Sequence, residues 1–375
     1  MIYLDNAATS YPKPEGVKRE ILQCIDVFGG NPGRSSHRLA MLASEKIYDC
    51  RCRLCDFFGA SLPENVVFTY NATYALNMAI KTEYKVNSHI LISDMEHNSV
   101  YRPVYTLKKN GLCSFDVFST EGDVVKNISA LIKKNTDMLI CTHISNVSGR
   151  VLPIDKIGAL CKKHGIYFIV DAAQSAGHTK IRLDELNCDA LCAPAHKGLF
   201  GIQGCGFVIF NKRRNQRTFI EGGSGVNSAS PVMPIDSPEM YEGGTLSTPA
   251  ISALAEGVRF IEDITLPELE QREKTLRYFL SDRLCSIKGI TVQDLDRECA
   301  SVISFYSEKV PADIIGAYLD EKGICVRAGL HCSPLAHKAL KSPESGSVRA
   351  SLSYFNTIKD IDSFYQALKN VFKTV

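Results

Sequence analysis

The chain has 375 residues, 45% of them hydrophobic and 22% charged, and no tryptophan. Its 43 basic and 41 acidic residues leave a net charge of +2, which gives no reason to expect a nucleic-acid or membrane partner. No run approaches the roughly 18 apolar residues of a membrane span, and residues 1–6 lack the basic-then-apolar pattern of a secretory signal. A cytoplasmic protein with one large and one smaller domain is expected.

The predicted elements begin with strand 66–69, helix 73–82, strand 89–93, helix 98–109, strand 115–118, helix 124–134 and strand 137–144. Helix 155–164, with Asp155 as its expected N-cap, and strands 167–170, 190–193 and 206–210 follow. Alternation of this kind predicts an α/β fold with a mainly parallel sheet covered by helices on both faces. From Thr248 the pattern changes. Helices 250–263 and 267–287, strand 302–305, a helix from Ala312, strands 325–326 and 348–351, and a helix over 359–372 read as a smaller α+β unit. The expected division is a segment 1–14 packed on the rest, a large domain over 15–260 and a small domain over 261–375. Residues 221–242, rich in glycine and proline, form a loop too long to be idle.

Fourteen cysteines are unusual. Cys113, Cys141, Cys192 and Cys205 lie inside apolar runs and read as small core residues. Cys50, Cys52 and Cys55 fall on one predicted helix, but no second pair follows at zinc spacing, so no metal is expected. Cys332 differs from the rest. It follows a short strand, beside His331 and near Arg327 and Gly329, in a loop expected to be flexible, partly exposed and electropositive. Such a thiol is a candidate nucleophile; its other reading is a loop thiol without a task.

Asp171 ends the apolar run Tyr167, Phe168, Ile169, Val170, at the sheet edge where α/β proteins place ligand groups. Lys197 follows the next short apolar run, which Pro194 ends. A carboxylate to hold a ring nitrogen protonated and an amine to bond an aldehyde are what pyridoxal phosphate (PLP) requires. Thr73 opens a helix and reads equally as an N-cap or as part of a phosphate site. His97 lies just past a strand end, where it stacks on a ring or caps a helix. Asn146 holds the same position after its own strand. Arg327 and Arg349 are candidates for a two-point grip on a carboxylate.

These motifs, taken in order, resemble the cysteine desulfurases of the class V aminotransferase superfamily. The resemblance rests on Tyr3 to Thr9, Asn31-Pro32-Gly33-Arg34, Glu96-His97, Ser145-Asn146, Val170 to Gln174, His196-Lys197, Glu242 to Thr245, Arg327 to Cys332 and Val348 to Ser351. It implies the aspartate aminotransferase-like architecture, fold type I. It implies that Lys197 bonds the PLP aldehyde and moves the Cα proton, that Asp171 pairs with the ring nitrogen, and that His97 stacks on the ring. Asn146 and Gln174 then lie near the phenolic oxygen, Asn146 also facing substrate. Ala72, Thr73 and His196 hold the phosphate, with Thr245 reaching across from a second subunit of a homodimer. Arg349 and Arg327 bind the carboxylate of L-cysteine. Cys332 takes its sulfur as a persulfide for a sulfur-acceptor protein. A selenocysteine lyase, a cysteine or cystine C–S lyase and an idle PLP-fold scaffold are the alternatives. Two positions depart from the pattern: Asn71 replaces a usual glycine, and Pro194 replaces a serine that contributes to phosphate binding.

Overall fold

The computed structural model describes residues 1–33 and 35–372; Arg34 lies outside them. The chain opens with β1 (Ile2–Tyr3), α1 (Glu15–Asp26), α2 (Arg38–Phe58), β2 (Val66–Thr69), α3 (Ala72–Glu83), β3 (Ser88–Ser93), α4 (Asn98–Lys109) and β4 (Cys113–Phe118). It continues with α5 (Val124–Leu131), β5 (Thr136–Thr142), α6 (Ile154–His164), β6 (Tyr167–Asp171), β7 (Ala190–Pro194), β8 (Gly206–Phe210), α7 (Thr248–Ile264) and α8 (Leu266–Cys285).

Alternation along the central strands sends every second side chain to one face. In β6, Phe168 and Val170 enter one apolar cluster with α6 and α7, while Tyr167 and Ile169 enter another with α3 and α4. Both faces are apolar, so both are covered, which is why these strands read as continuous hydrophobic runs. Each fully buried Val, Ile or Leu contributes about 1.5–3 kcal/mol. Among the described residues the sheet has seven strands in the order β2-β8-β7-β6-β5-β3-β4. The pairs from β7 through β4 are parallel, and β8 is antiparallel to both its neighbours.

The later elements are β9 (Thr291–Val292), β10 (Val302–Tyr306), α9 (Ala312–Glu321), β11 (Ile324–Cys325), β12 (Arg327–Gly329), α10 (Pro334–Ala339), β13 (Ser347–Ser351) and α11 (Ile358–Val371). Strands β12-β13-β10-β9 make a second, antiparallel sheet. The predicted strand 325–326 divides into β11 and β12, because β11 pairs with β1 whereas β12 pairs with β13. Leu269 belongs to the core on the large sheet, and Leu276 onward to a third core under the small sheet, so the handover falls within α8. The first residues run with the small sheet: Leu4 N donates to Cys325 O and Ser351 N to Leu4 O. A few residues later Ser10 N donates to His196 O, beside the large sheet's edge. Helix α6 starts at Ile154 behind Pro153, and Asp155 lies in its first turn rather than capping it. The carboxylate there faces the positive end of the helix dipole instead of closing an N–H. No helix among the described residues is long and apolar enough to cross a membrane.

Candidate active site

The parallel strands end at one edge, and the polar residues that follow them meet in a cavity of about 240 Å³. Asp171, Lys197, His97, Asn146, Gln174, Ala72, Thr73, His196, Arg327 and Arg349 all line it. Asp171 comes there by register. Continuing the alternation of β6, it falls on the side of Tyr167 and Ile169, toward α3 and α4. It is buried, and its Oδ1 accepts from Ala173 N at 2.9 Å. Burial raises the Asp171 pKa, opposed by that bond and the charge of Lys197. Burial likewise lowers Lys197 to about 8, with Arg349 and Arg327 adding to the effect and Asp171 opposing it. In both groups desolvation outweighs their mutual attraction. The amine therefore loses its proton far more readily than an exposed lysine, which makes it a usable nucleophile.

His97 caps α4, one of the two roles its position suggested, and it also lines the cavity. Its Nδ1 accepts from Ser99 N at 3.0 Å and faces Ser99 Oγ at 2.8 Å, so the proton resides on Nε2. Burial, then the charges of Lys197 and Arg327, lowers it to about 4, and the ring is neutral at neutral pH. Thr73 is not the cap of α3. Asn71 is, its side chain accepting from Tyr74 N at 2.9 Å with φ at −174°, an extended conformation open to any residue. The glycine usual there is therefore not required. Thr73 stands at the second helical position, its hydroxyl 2.7 Å from Ser99 Oγ. The first-turn N–H groups of Ala72 and Thr73 have no intrahelical partner and face the cavity end of the helix. His196 adds a ring that burial holds neutral, lowered to about 4, with a buried Nδ1 that has no partner.

Arg349 is 1% exposed. Its Nη2 donates to Asp5 Oδ1 at 2.8 Å and its Nη1 to Asn146 O at 3.0 Å. Gln174 Nε2 donates to Ala7 O at 2.9 Å. The N-terminal motif that contains Asp5 and Ala7 gives them no task by itself; the fold gives them one, as supports for Arg349 and Gln174. Asn146 sits on a hairpin where Gly149, at φ +82°, packs so tightly on Val302 O that an added Cβ would lie 2.5 Å away. Arg150 of the same hairpin forms a buried ion pair with Asp294. The small sheet thus holds the hairpin in place.

Two expected residues lie elsewhere. Cys332 is exposed just outside the cavity, with Arg327 Nη2 3.5 Å from its Sγ. His331 does not contribute to an electropositive setting for that thiol. It is buried, faces Ser347 Oγ at 3.2 Å, and is neutral, lowered by burial to about 2. The Cys332 turn is also tied rather than free, since Asn98 N donates to Cys332 O at 2.8 Å. Thr245 is not in the cavity of its own chain; it lines a separate small cavity with Phe68, Tyr74 and Glu242. The same segment is anchored by Glu242, buried against Arg51 and accepting from Phe68 N at 2.6 Å. Among the described residues no cluster of three or more His, Cys, Asp or Glu has the arrangement of a metal site.

The aminotransferase class-V family matches residues 2–364. The chain belongs to that family. A relative from Halalkalibacterium halodurans, described as a probable cysteine desulfurase, is 31% identical over 98% of this chain and 92% of its own. A cysteine desulfurase from Yersinia pseudotuberculosis is 28% identical, over the whole of this chain and 94% of the other. The apo structure of the cysteine desulfurase from Thermococcus onnurineus, 28% identical, superposes with a TM-score of 0.91 over 100% of this chain and 95% of that one. Class-V enzymes depend on PLP, and the cavity fits it. One buried carboxylate and one buried amine line it together, with the N-terminal turn of α3 and His196, whose buried Nδ1 has no partner, and its three cations exceed its one lining carboxylate.

Proposed function

We propose that this chain removes the sulfur of L-cysteine, yielding alanine and a persulfide on Cys332. The carrying observation is that Arg327 lines the cavity of Lys197 and Asp171 while its Nη2 stands 3.5 Å from the Cys332 sulfur. One guanidinium thereby links the cavity to an exposed thiol at its mouth. The names of the relatives support the same reading.

Bound PLP supplies an electron sink that makes the substrate Cα proton acidic. Lys197 would hold the cofactor aldehyde, and its amine, already lowered by burial, would take the substrate Cα proton. Asp171 keeps the ring nitrogen protonated. His97, neutral and with its proton on Nε2, offers a flat face and a donor rather than a base. Ala72, Thr73 and His196 hold the phosphate. Pro194, which lines the same cavity, has neither hydroxyl nor N–H to add. Thr245 of the partner subunit completes the phosphate site in a homodimer. Asn146 and Gln174 lie toward the phenolic oxygen. Arg349, held by Asp5, grips the substrate carboxylate with Arg327 beside it. The Cys332 thiolate attacks the substrate sulfur: an S–S bond forms, the C–S bond breaks with its electron pair left on the substrate carbon side, the β-carbon gains a proton, and Lys197 returns the proton to Cα to complete alanine. The persulfide then passes to a sulfur-acceptor protein. The reaction belongs to the cytoplasm.

The test is a product assay on wild type and Cys332→Ala with L-cysteine. Alanine and protein-bound persulfide from wild type, with neither from the variant and its yellow colour retained, support the proposal. Pyruvate in place of alanine, or an undiminished rate in Cys332→Ala, overturns it in favour of a C–S lyase.

A further inference from the structure

Three consecutive residues around the nucleophile are each tied to the large sheet's edge. His331 O accepts from Asn146 Nδ2 at 2.8 Å, Cys332 O from Asn98 N at 2.8 Å, and Ser333 Oγ donates to Asn146 Oδ1 at 2.7 Å. The ties act on a turn that does not hold this shape by itself. His331 and Cys332 have φ of +51° and +60°, a left-handed pair that side-chain-bearing residues rarely adopt in succession. Ser333 is also used in an unusual way. It stands at the N-cap of α10, where a serine ordinarily spends its hydroxyl on the helix's own N–H. Here it makes no such bond, is fully buried, and reaches across to Asn146.

We infer that Ser333, through Asn146, and the main-chain N–H of Asn98 are positioning groups that hold the Cys332 thiol at Arg327 over the cavity mouth. The bonding pattern leaves no alternative orientation for the amide. His331 O accepts only, so Nδ2 must face it, and Oδ1 must take the Ser333 proton. One amide hydrogen of Asn146 is then left for the cavity. Removing the Ser333 hydroxyl frees Oδ1, lets the amide turn, and unfastens both sides of Cys332 together. The inference rests on Cys332 being the sulfur acceptor, yet its first readout does not.

The experiment compares holoenzyme of wild type, Ser333→Ala, Ser333→Thr and Asn98→Pro. Asn98→Pro deletes the donor to Cys332 O at the first position of α4, where proline is tolerated, and stands in if Ser333→Ala fails to fold. Peptide-level mass spectrometry gives the alkylation rates of Cys332 by anionic iodoacetate and neutral iodoacetamide, with exposed Cys285 as internal reference. A thiol held at Arg327 favours the anion. Ser333→Ala and Asn98→Pro should lower the iodoacetate-to-iodoacetamide ratio at Cys332 while leaving Cys285 unmoved, and Ser333→Thr should restore it. First-turnover alanine formation should slow by about tenfold, with KM little changed. An unchanged ratio, or a lowered ratio with an unchanged first turnover, overturns the inference. Full activity in Cys332→Ala overturns instead the assignment of Cys332, and the ratio still reports whether Ser333 holds it.

Discussion

The two walls of the cavity are built in different ways. The floor, formed by the ends of β6 and the turns after β3, β5 and β7, consists of residues placed by strand register and helix starts. Asp171 ends β6, His97 caps α4 and Thr73 stands in the first turn of α3, and each is held by a bond to a group close by, Ala173 N for Asp171 and Ser99 for the other two. The roof, formed by the Cys332 turn and Arg349, is placed by bonds that cross about 185 to 345 residues of sequence. Chemistry that needs a fixed electrostatic field sits on the floor. Chemistry that must be presented and handed on sits on the roof.

Substitutions on the two sides should therefore fail differently. Lys197→Ala, on the floor, should abolish both the visible band of the holoenzyme and all turnover. Cys332→Ala, on the roof, should abolish persulfide formation but leave the absorption spectrum unchanged. If the two variants share one phenotype, the distinction between floor and roof is lost. Next in size, Arg349→Lys should lower kcat/KM by about 10- to 100-fold, mainly through KM, because lysine loses the two-point grip and the bond to Asp5. A steady-state titration with L-cysteine measures it.

A stability test comes third. His178, largely buried beside the Lys197 turn, faces Glu273 of α8 at 2.8 Å. Burial alone would lower its pKa, but the charge and hydrogen bond of Glu273 outweigh it and the pKa is raised. Its contribution is present below the ordinary histidine value and is lost as pH rises through the raised one. Glu273→Gln should cost about 3–5 kcal/mol in denaturant unfolding at pH 6, as expected for breaking a buried pair. The cost should shrink toward pH 9. The smallest effect concerns Glu96, buried behind His97 and raised from 4.5 to about 8 by desolvation, with the Asp171 charge adding to it. Folding then takes up a proton between those values, so stability falls as pH rises from 4.5 to about 8. Glu96→Gln should flatten that decline in thermal melts; an unaltered slope would place the proton elsewhere.

Much of the floor is legible in the amino-acid order. Continuous apolar runs predict where the parallel strands stop, and functional groups of such sheets gather at that edge. Helix ends are less legible: Asp155 has the residue type of a cap, yet α6 already begins at Ile154 behind Pro153, and Asn71 rather than Thr73 caps the start of α3. Ser99 goes unnoticed in the sequence, although it stands two residues past His97, because a helical serine carries no mark of the two ring and hydroxyl contacts it makes. His331 reads in the sequence as a neighbour that activates Cys332, and it is not one. Adjacency along the chain says only that they are close, whereas the left-handed turn sends one side chain inward and the other out.

From the order of residues alone come the α/β alternation, the pairing of Asp171 with Lys197, and the distinctness of Cys332 among fourteen cysteines. Those features follow from side-chain periodicity and residue chemistry, which are local. Only the tertiary structure decides which partners fix Arg349, that Asn146 fastens the turn on either side of the thiol, and that Thr245 lies outside its own chain's cavity. The physical reason is range: hydrogen bonds act over about 3 Å, and folding brings within that distance groups whose separation along the chain carries no trace of the contact.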